Sequence, residues 1–155
     1  MLLAFVPRKK DLLIGEYQHS VDEKKRLAVP SKFRAELKNK VVVTRGLDKC
    51  LFIYPMKVWE ELAGKLGTLP VGESNTRSFI RIMLAGAVDV DVDKQGRILI
   101  PDYLKAYAGL AKNVIIAGLY NRLEIWDEKK WDAYKKKAEK DTDEIAEQLG
   151  KLGVY

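Results

Sequence analysis

The chain has 155 residues, of which 47% are hydrophobic and 32% charged. That is enough for one ordinary domain or two small units sharing a core, and it excludes disorder of the whole chain. The single cysteine, Cys50, excludes an intramolecular disulfide and suits a reducing compartment, and the single histidine, His19, excludes a Cys/His zinc site within one chain. The net charge of +6 sits entirely in residues 1–46, while the remainder is neutral. Such asymmetry points to a polyanion partner, nucleic acid before membrane, with a plain solubility charge as the alternative.

Residues 1–13 read as a flexible leader, with an apolar stretch followed by Arg8, Lys9 and Lys10. The stretch is too short and its charge falls on the wrong side for a secretory signal. No run approaches the roughly 20 apolar residues of a membrane span. Without the leader, residues 14–46 still carry +4.

From residue 14 onward the chain is best read as two copies of one unit. Asp22-Glu23-Lys24-Lys25-Arg26-Leu27-Ala28-Val29-Pro30 returns 71 positions later as Asp93-Lys94-Gln95-Gly96-Arg97-Ile98-Leu99-Ile100-Pro101. A second block, from Gly46-Leu47 to Trp59, returns from Gly118-Leu119 to Trp131 with an offset of 72. Matched blocks in the same order indicate an internal repeat. Repeat 1 spans 14–64, a linker 65–86, and repeat 2 spans 87–134.

Within each repeat the predicted elements follow the same order. Residues 14–20 and 87–92 alternate and read as strands. Residues 22–25 and 93–96 are polar turns. A short strand follows, with Leu27 and Val29 on one side and Arg26 and Ala28 on the other. Pro30 and Pro101 end it, and Ser31 or Asp102 opens a helix over 31–38 or 102–108. Residues 40–45 and 112–117 are β-branched strands that pair with 51–54 and 123–126. Pro55 and Asp127 then begin helices, the last one long and charged over 127–149. The linker carries a loop at Leu69-Pro70-Val71-Gly72, then a packed helix over 74–84 with Phe79, Ile80, Met83 and Leu84 at helical spacing. Neither unit has enough core alone, so the two are expected to interleave into one barrel that removes exposed strand edges.

Residues 15–30, with Leu84-Ala85-Gly86-Ala87 and 93–101, resemble the two repeats of the MraZ family of bacterial transcriptional regulators. The resemblance rests on Asp-x-x-x-Arg in each repeat, its flanking proline and the downstream tryptophan. It covers roughly 14–149. It implies an α+β fold, mainly β with helices. Two tandem AbrB-like repeats would form one pseudo-twofold swapped-hairpin (double-split) β-barrel, with a long C-terminal helix. It further implies ring-shaped homo-oligomers in the cytoplasm and nucleoid. These would bind short repeated sites in double-stranded DNA upstream of the division and cell-wall gene cluster, usually as a repressor. No cofactor, small-molecule substrate or membrane partner is implied. Lys25 stands where the family usually has glycine, whereas repeat 2 keeps Gly96. A turn with positive φ there would cost a lysine about 1 kcal/mol.

The Asp-x-x-x-Arg spacing lets the two side chains meet across a tight turn. Asp22 and Asp93 would fix the turns, and Arg26 and Arg97 would either serve only that lock or reach phosphates and guanine edges. Both roles can hold together, with Arg26 the central DNA contact. Lys24, Lys25, Lys32 and Arg34 lie within ten residues of Arg26 and read as phosphate contacts. Repeat 2 offers Lys94, Arg97 and Lys105, with Asp89, Asp91 and Asp93 repelling phosphate. Repeat 1 is therefore expected to contact DNA and repeat 2 mainly to support the assembly.

Asp89, Asp91 and Asp93 could hold a cation, but the solvent face of a half-buried strand is the commoner explanation and the preferred one. Trp59, Trp126, Trp131 and Tyr54 read as core anchors rather than a base-stacking platform. A Gly-rich phosphate loop is absent, and no nucleophile pattern accompanies His19, which argues against an enzyme. The competing class is a protein-interaction scaffold or antitoxin-like barrel without sequence-specific DNA binding.

Overall fold

A computed structural model describes residues 12–154. Residues 1–11 of the expected leader lie outside the described residues. Leu13, assigned to that leader from the sequence, instead opens the first strand and is 3% exposed.

Repeat 1 builds β1 (Leu13–Ser20), β2 (Arg26–Ala28), α1 (Ser31–Leu37), β3 (Lys40–Arg45), β4 (Leu51–Pro55) and α2 (Met56–Gly67). Next comes α3 (Ser74–Ile80), which continues directly into a π-helical turn, Arg81–Ala85. Repeat 2 builds β5 (Val88–Asp91), β6 (Arg97–Leu99), α4 (Asp102–Ala108), β7 (Asn113–Tyr120), β8 (Leu123–Asp127) and α5 (Glu128–Lys140). Pro30, Pro55 and Pro101 stand as N-caps, where the missing N–H costs nothing and the extended ψ hands the chain into the helix. The single long helix expected over 127–149 is two helices. The chain breaks at Asp141, and α6 (Thr142–Lys151) follows, started by the Ile145 N–H donating to the Asp141 carbonyl at 3.0 Å. The linker helix also differs in part: Met83 is buried, but Phe79 is 43% exposed.

The fold is α+β, with the repeats interleaved. The two hairpins β3–β4 and β7–β8 join through β4–β8, where Leu51, Phe52 and Ile53 stand opposite Ile125, Glu124 and Leu123. Each repeat then sends its first strand across. β1 pairs antiparallel with β7 of repeat 2, and β5 pairs antiparallel with β3 of repeat 1. The sheet order is β1-β7-β8-β4-β3-β5, and β2 and β6 form a separate two-stranded ribbon. The six-stranded ladder ends at β1 and β5, so the expected barrel closure is not seen in its hydrogen bonding.

Alternation along the central strands gives the sheet two apolar faces. One carries Val41, Val43, Leu51, Ile53, Val114, Ile116, Leu123 and Ile125, and packs under the ribbon residues Leu27 and Ile98 and the helix residues Phe33 and Leu104. The other carries Phe52, Tyr54, Ile115 and Trp126, covered by Trp59, Leu62, Leu66, Met83 and Trp131. The three tryptophans therefore lie in or against this second core. Cys50 is fully buried beside them. Among the described residues, no helix is long and apolar enough to cross a membrane.

Candidate nucleic-acid interface

Each signature turn is built the same way, atom for atom. In repeat 1, Asp22 Oδ1 accepts from the N–H groups of Lys24 and Arg26 at 2.9 and 2.8 Å, while Oδ2 accepts from Arg26 Nε at 2.8 Å. In repeat 2, Asp93 Oδ1 accepts from Gln95 and Arg97 N–H at 2.9 and 2.8 Å, while Oδ2 accepts from Arg97 Nε at 2.9 Å. The main chain closes each loop as well. Lys25 N–H donates to the Asp22 carbonyl, and Gly96 N–H donates to that of Asp93. Main-chain donation from the arginine, with smaller help from its side chain, holds both carboxyls below their ordinary range.

One carboxylate thus ties down the main chain of the turn and one edge of the guanidinium. Among the described residues, the two terminal nitrogens of Arg26 and of Arg97 make no hydrogen bond to the protein. The arginine is oriented, and its bidentate end stays unspent.

The ribbon brings the two arginines together. Arg26, Leu27 and Ala28 stand opposite Leu99, Ile98 and Arg97. Leu27 and Ile98 are 0% and 1% exposed and face the core. Arg26, Ala28, Arg97 and Leu99 therefore share the outer face. Arg26 and Arg97 are diagonal neighbours there, with Cα atoms about 7–8 Å apart. The signature turns lie at opposite ends of this ribbon, and a pseudo-twofold axis through Leu27 and Ile98 relates them.

Interleaving redistributes the surrounding charges. Lys25 has φ 63° and Gly96 φ 76°, so both turns need the left-handed conformation and repeat 1 adopts it with a lysine. Lys25 Nζ pairs with Asp102 of α4 at 2.7 Å, a side chain of the other repeat. In return, Arg34 of α1 crosses to repeat 2. Its Nε donates to the Val29 carbonyl at 3.2 Å, and its guanidinium covers Gly96. Burial, and then the Arg34 charge, lower the pKa of His19. Lys105 of α4 and Lys112 line a shallow cleft with Asp22 and Glu23 of turn 1. Lys32 Nζ reaches the Ile14 carbonyl at 3.5 Å, at the far end of β1 from turn 22–25.

The cluster expected around Arg26 is therefore split. Lys24 and Lys25 stay at turn 1, Arg34 moves to turn 2, and Lys32 goes elsewhere. Lys94 stays at turn 2. Lys24 and Lys94 are exposed, and their Nζ atoms have no protein partner among the described residues. The repulsion expected from Asp89 and Asp91 is blunted by Lys40, whose Nζ lies 3.4 and 3.9 Å from their oxygens. A basic repeat 1 and a supporting repeat 2 are distinct only in the order of charges along the chain, and the swap exchanges several of those charges.

Sequence reasoning also passed over Glu124. It is 8% exposed in the middle of the sheet, at the position where repeat 1 has Phe52. Its Oε2 accepts from Arg122 Nε and Nη2 at 3.2 and 3.0 Å, and Oε1 accepts from Trp126 Nε1 at 3.0 Å. Arg122 in turn lies over the Phe52 ring at 4.7 Å.

A family model described as "MraZ protein, putative antitoxin-like" matches the chain twice, over residues 12–82 and 83–151. Proteins named "Transcriptional regulator MraZ" from Halothermothrix orenii and Acetivibrio thermocellus are each 48% identical to it over 143 residues, covering 92% of this chain and all of the relative. One of the same name from Syntrophomonas wolfei is 46% identical over the same coverage. These relatives carry the name of a regulator, not of an enzyme. The chain belongs to the MraZ family.

Proposed function

We propose that the chain is a sequence-specific, double-stranded-DNA-binding transcriptional regulator and that the outer face of the β2–β6 ribbon is its reading surface. The observation that carries this is the duplicated clamp: two arginines on one face, each fixed through Nε by its own aspartate, each with its bidentate end free. A two-stranded ribbon fits the major groove, and bidentate arginine is the commonest reader of guanine. Arg26 and Arg97 are the readers in this view, and Asp22 and Asp93 hold their aim. Lys24 and Lys94 contact phosphate. Lys25 seats turn 1 through Asp102 of the opposite repeat, and Arg34, bonded to Val29 of its own repeat, covers Gly96 of turn 2; both add positive potential. Lys32, further along, is a peripheral phosphate contact.

The relatives' name supports regulation of transcription. The finer proposal is that copies assemble into a ring in the cytoplasm, associate with the nucleoid, and engage repeated sites together. Effective concentration would then turn several weak contacts into useful affinity. Their target is the promoter of the division and cell-wall gene cluster, which they repress. The antitoxin-like wording of the family description favours a second reading, a protein-binding scaffold that reads no sequence.

Fluorescence anisotropy over a salt series, with DNA from directly upstream of the gene against scrambled DNA, separates the two. Wild type is expected to prefer the upstream DNA at physiological salt. Arg26→Ala and Arg97→Ala, each checked for unchanged oligomer size, are expected to lose that preference by comparable factors of about tenfold or more. Equal binding of both DNAs, or of neither, would favour the scaffold.

A further inference from the structure

On the ribbon's outer face the pseudo-twofold axis exchanges Arg26 with Arg97 and Ala28 with Leu99. The first exchange is between identical residues and the second is not. Leu99 is 52% exposed, whereas its neighbours Ile98 and Ile100 are 1% and 0% exposed. The strand thus spends its apolar residues on the core and places one more, a leucine, outward among charged groups. Leu99 stands directly opposite Arg26 in the register.

We propose that Leu99 is a specificity-determining residue that packs on a thymine C5-methyl beside the guanine read by Arg26. The proposal rests on the DNA-reading role of the ribbon. Directly opposed side chains on an antiparallel pair sit about 4.5–5.5 Å apart at Cβ, between one and two of the roughly 3.4 Å steps between bases. An arginine and a leucine in that register address neighbouring base positions. The thymine methyl is the one apolar feature of the major-groove edge. The two guanidiniums with unspent donors, and the lysines flanking them, make duplex DNA the occupant whose charge fits this face.

The broken symmetry has a consequence. A ribbon bearing only the two arginines would read a site the same way in both directions. With leucine at one end and alanine at the other, each copy reads an oriented site.

The test compares the upstream DNA with the same DNA carrying deoxyuridine in place of thymidine, which removes only the methyl groups. Three proteins are titrated: wild type, Leu99→Ala, and the exchanged variant Ala28→Leu/Leu99→Ala. Because Leu99 is exposed, the alanine variant is expected to fold and assemble normally, which circular dichroism and light scattering check. Wild type should lose about fourfold in affinity per engaged copy on the deoxyuridine DNA, the value of one buried methyl. Leu99→Ala should bind the two DNAs alike. The exchanged variant should regain methyl dependence at thymines on the opposite flank of the site, mapped by single deoxyuridine substitutions. The proposal is overturned if Leu99→Ala keeps the wild-type ratio, or if wild type shows none. Should wild type fail to prefer upstream over scrambled thymine DNA, the DNA-reading role itself falls, and Leu99's role falls with it.

Discussion

Gly96 and Lys25 occupy the same place in the two turns, yet substitution should cost far more at Gly96 than at Lys25. Gly96→Ala puts a Cβ on a backbone at φ 76°, which costs an L-residue about 1–2 kcal/mol. That Cβ would also collide with the Nε and Cζ of Arg34, whose Cδ is 2.8 Å away. The guanidinium is at the surface and can swing off, but it then gives up its bond to the Val29 carbonyl, worth about 0.5–1.5 kcal/mol. The total is roughly 2–3 kcal/mol, a fall in Tm of roughly 5–10 °C for a chain of this size. Lys25→Gly removes the left-handed penalty, gains freedom in the unfolded chain, and loses one exposed ion pair to Asp102 worth about 0–1 kcal/mol. Its net effect should stay within about 1 kcal/mol. Thermal melts of both variants, with Arg34→Ala and the double variant Gly96→Ala/Arg34→Ala, check the argument. The double variant should recover about 1 kcal/mol relative to the sum of its parts, because the collision partner is gone. A fall as large for Lys25→Gly as for Gly96→Ala, or strict additivity with Arg34→Ala, would refute it.

Two further outcomes follow from the carboxylates. Glu124→Ala strips the acceptor from Arg122 and leaves the buried Trp126 N–H unpaired, so it should cost about 2–3 kcal/mol in a denaturant melt; Glu124→Gln, which keeps an acceptor for the indole, should cost clearly less. Asp22 and Asp93 have folded pKa values below the ordinary 3.8. Their contribution is complete above that value and is lost as pH falls through the lowered folded values, because the unfolded chain takes up protons first. Tm measured against pH should therefore drop on the acid side below about pH 4, and the double variant Asp22→Asn/Asp93→Asn should flatten that limb while lowering Tm at neutral pH.

Much of this architecture could be read along the chain because its determinants are local. Prolines 30, 55 and 101 mark helix starts by removing an N–H that no helix would have used. The alternation at Leu27 and Val29 says which side of the strand faces the core. The spacing of Asp22 and Arg26 is long enough to span a tight turn and no longer. What could not be read were pairings set by long-range topology. Arg34 looks like a neighbour of Arg26 when counted along the chain, and the crossing of α1 puts it on Gly96 instead. Asp102 looks like an N-terminal helix residue, and it neutralises Lys25 across the interface of the repeats. The break at Asp141 has no proline or glycine to mark it, and the residues on either side of it are all helix-compatible. Leu99 is the counterpart of Ala28 and faces out by the same alternation, but an apolar residue in a strand is ordinarily buried, and its 52% exposure is what marks it.

The swap also explains why the chain carries two copies of a unit that looks half-finished. Each clamp is local: Asp22 holds Arg26, and Asp93 holds Arg97, over four residues. Each clamp is seated by the other copy. Val29 N–H donates to the Gly96 carbonyl, and Ile100 N–H to that of Lys25, both at short distance across the ribbon. Arg34 and Asp102 complete the exchange from their helices. A single repeat would contain its own aspartate and arginine but no partner strand, so Leu27 or Ile98 alone would face water. The energy that orders the ribbon comes from burying those two side chains together against the sheet, roughly 2 kcal/mol or more for each. Folding of the two repeats and presentation of the two arginines are therefore one event. The arginine pair exists only where both repeats have docked, which ties the proposed reading surface to the integrity of the core beneath it.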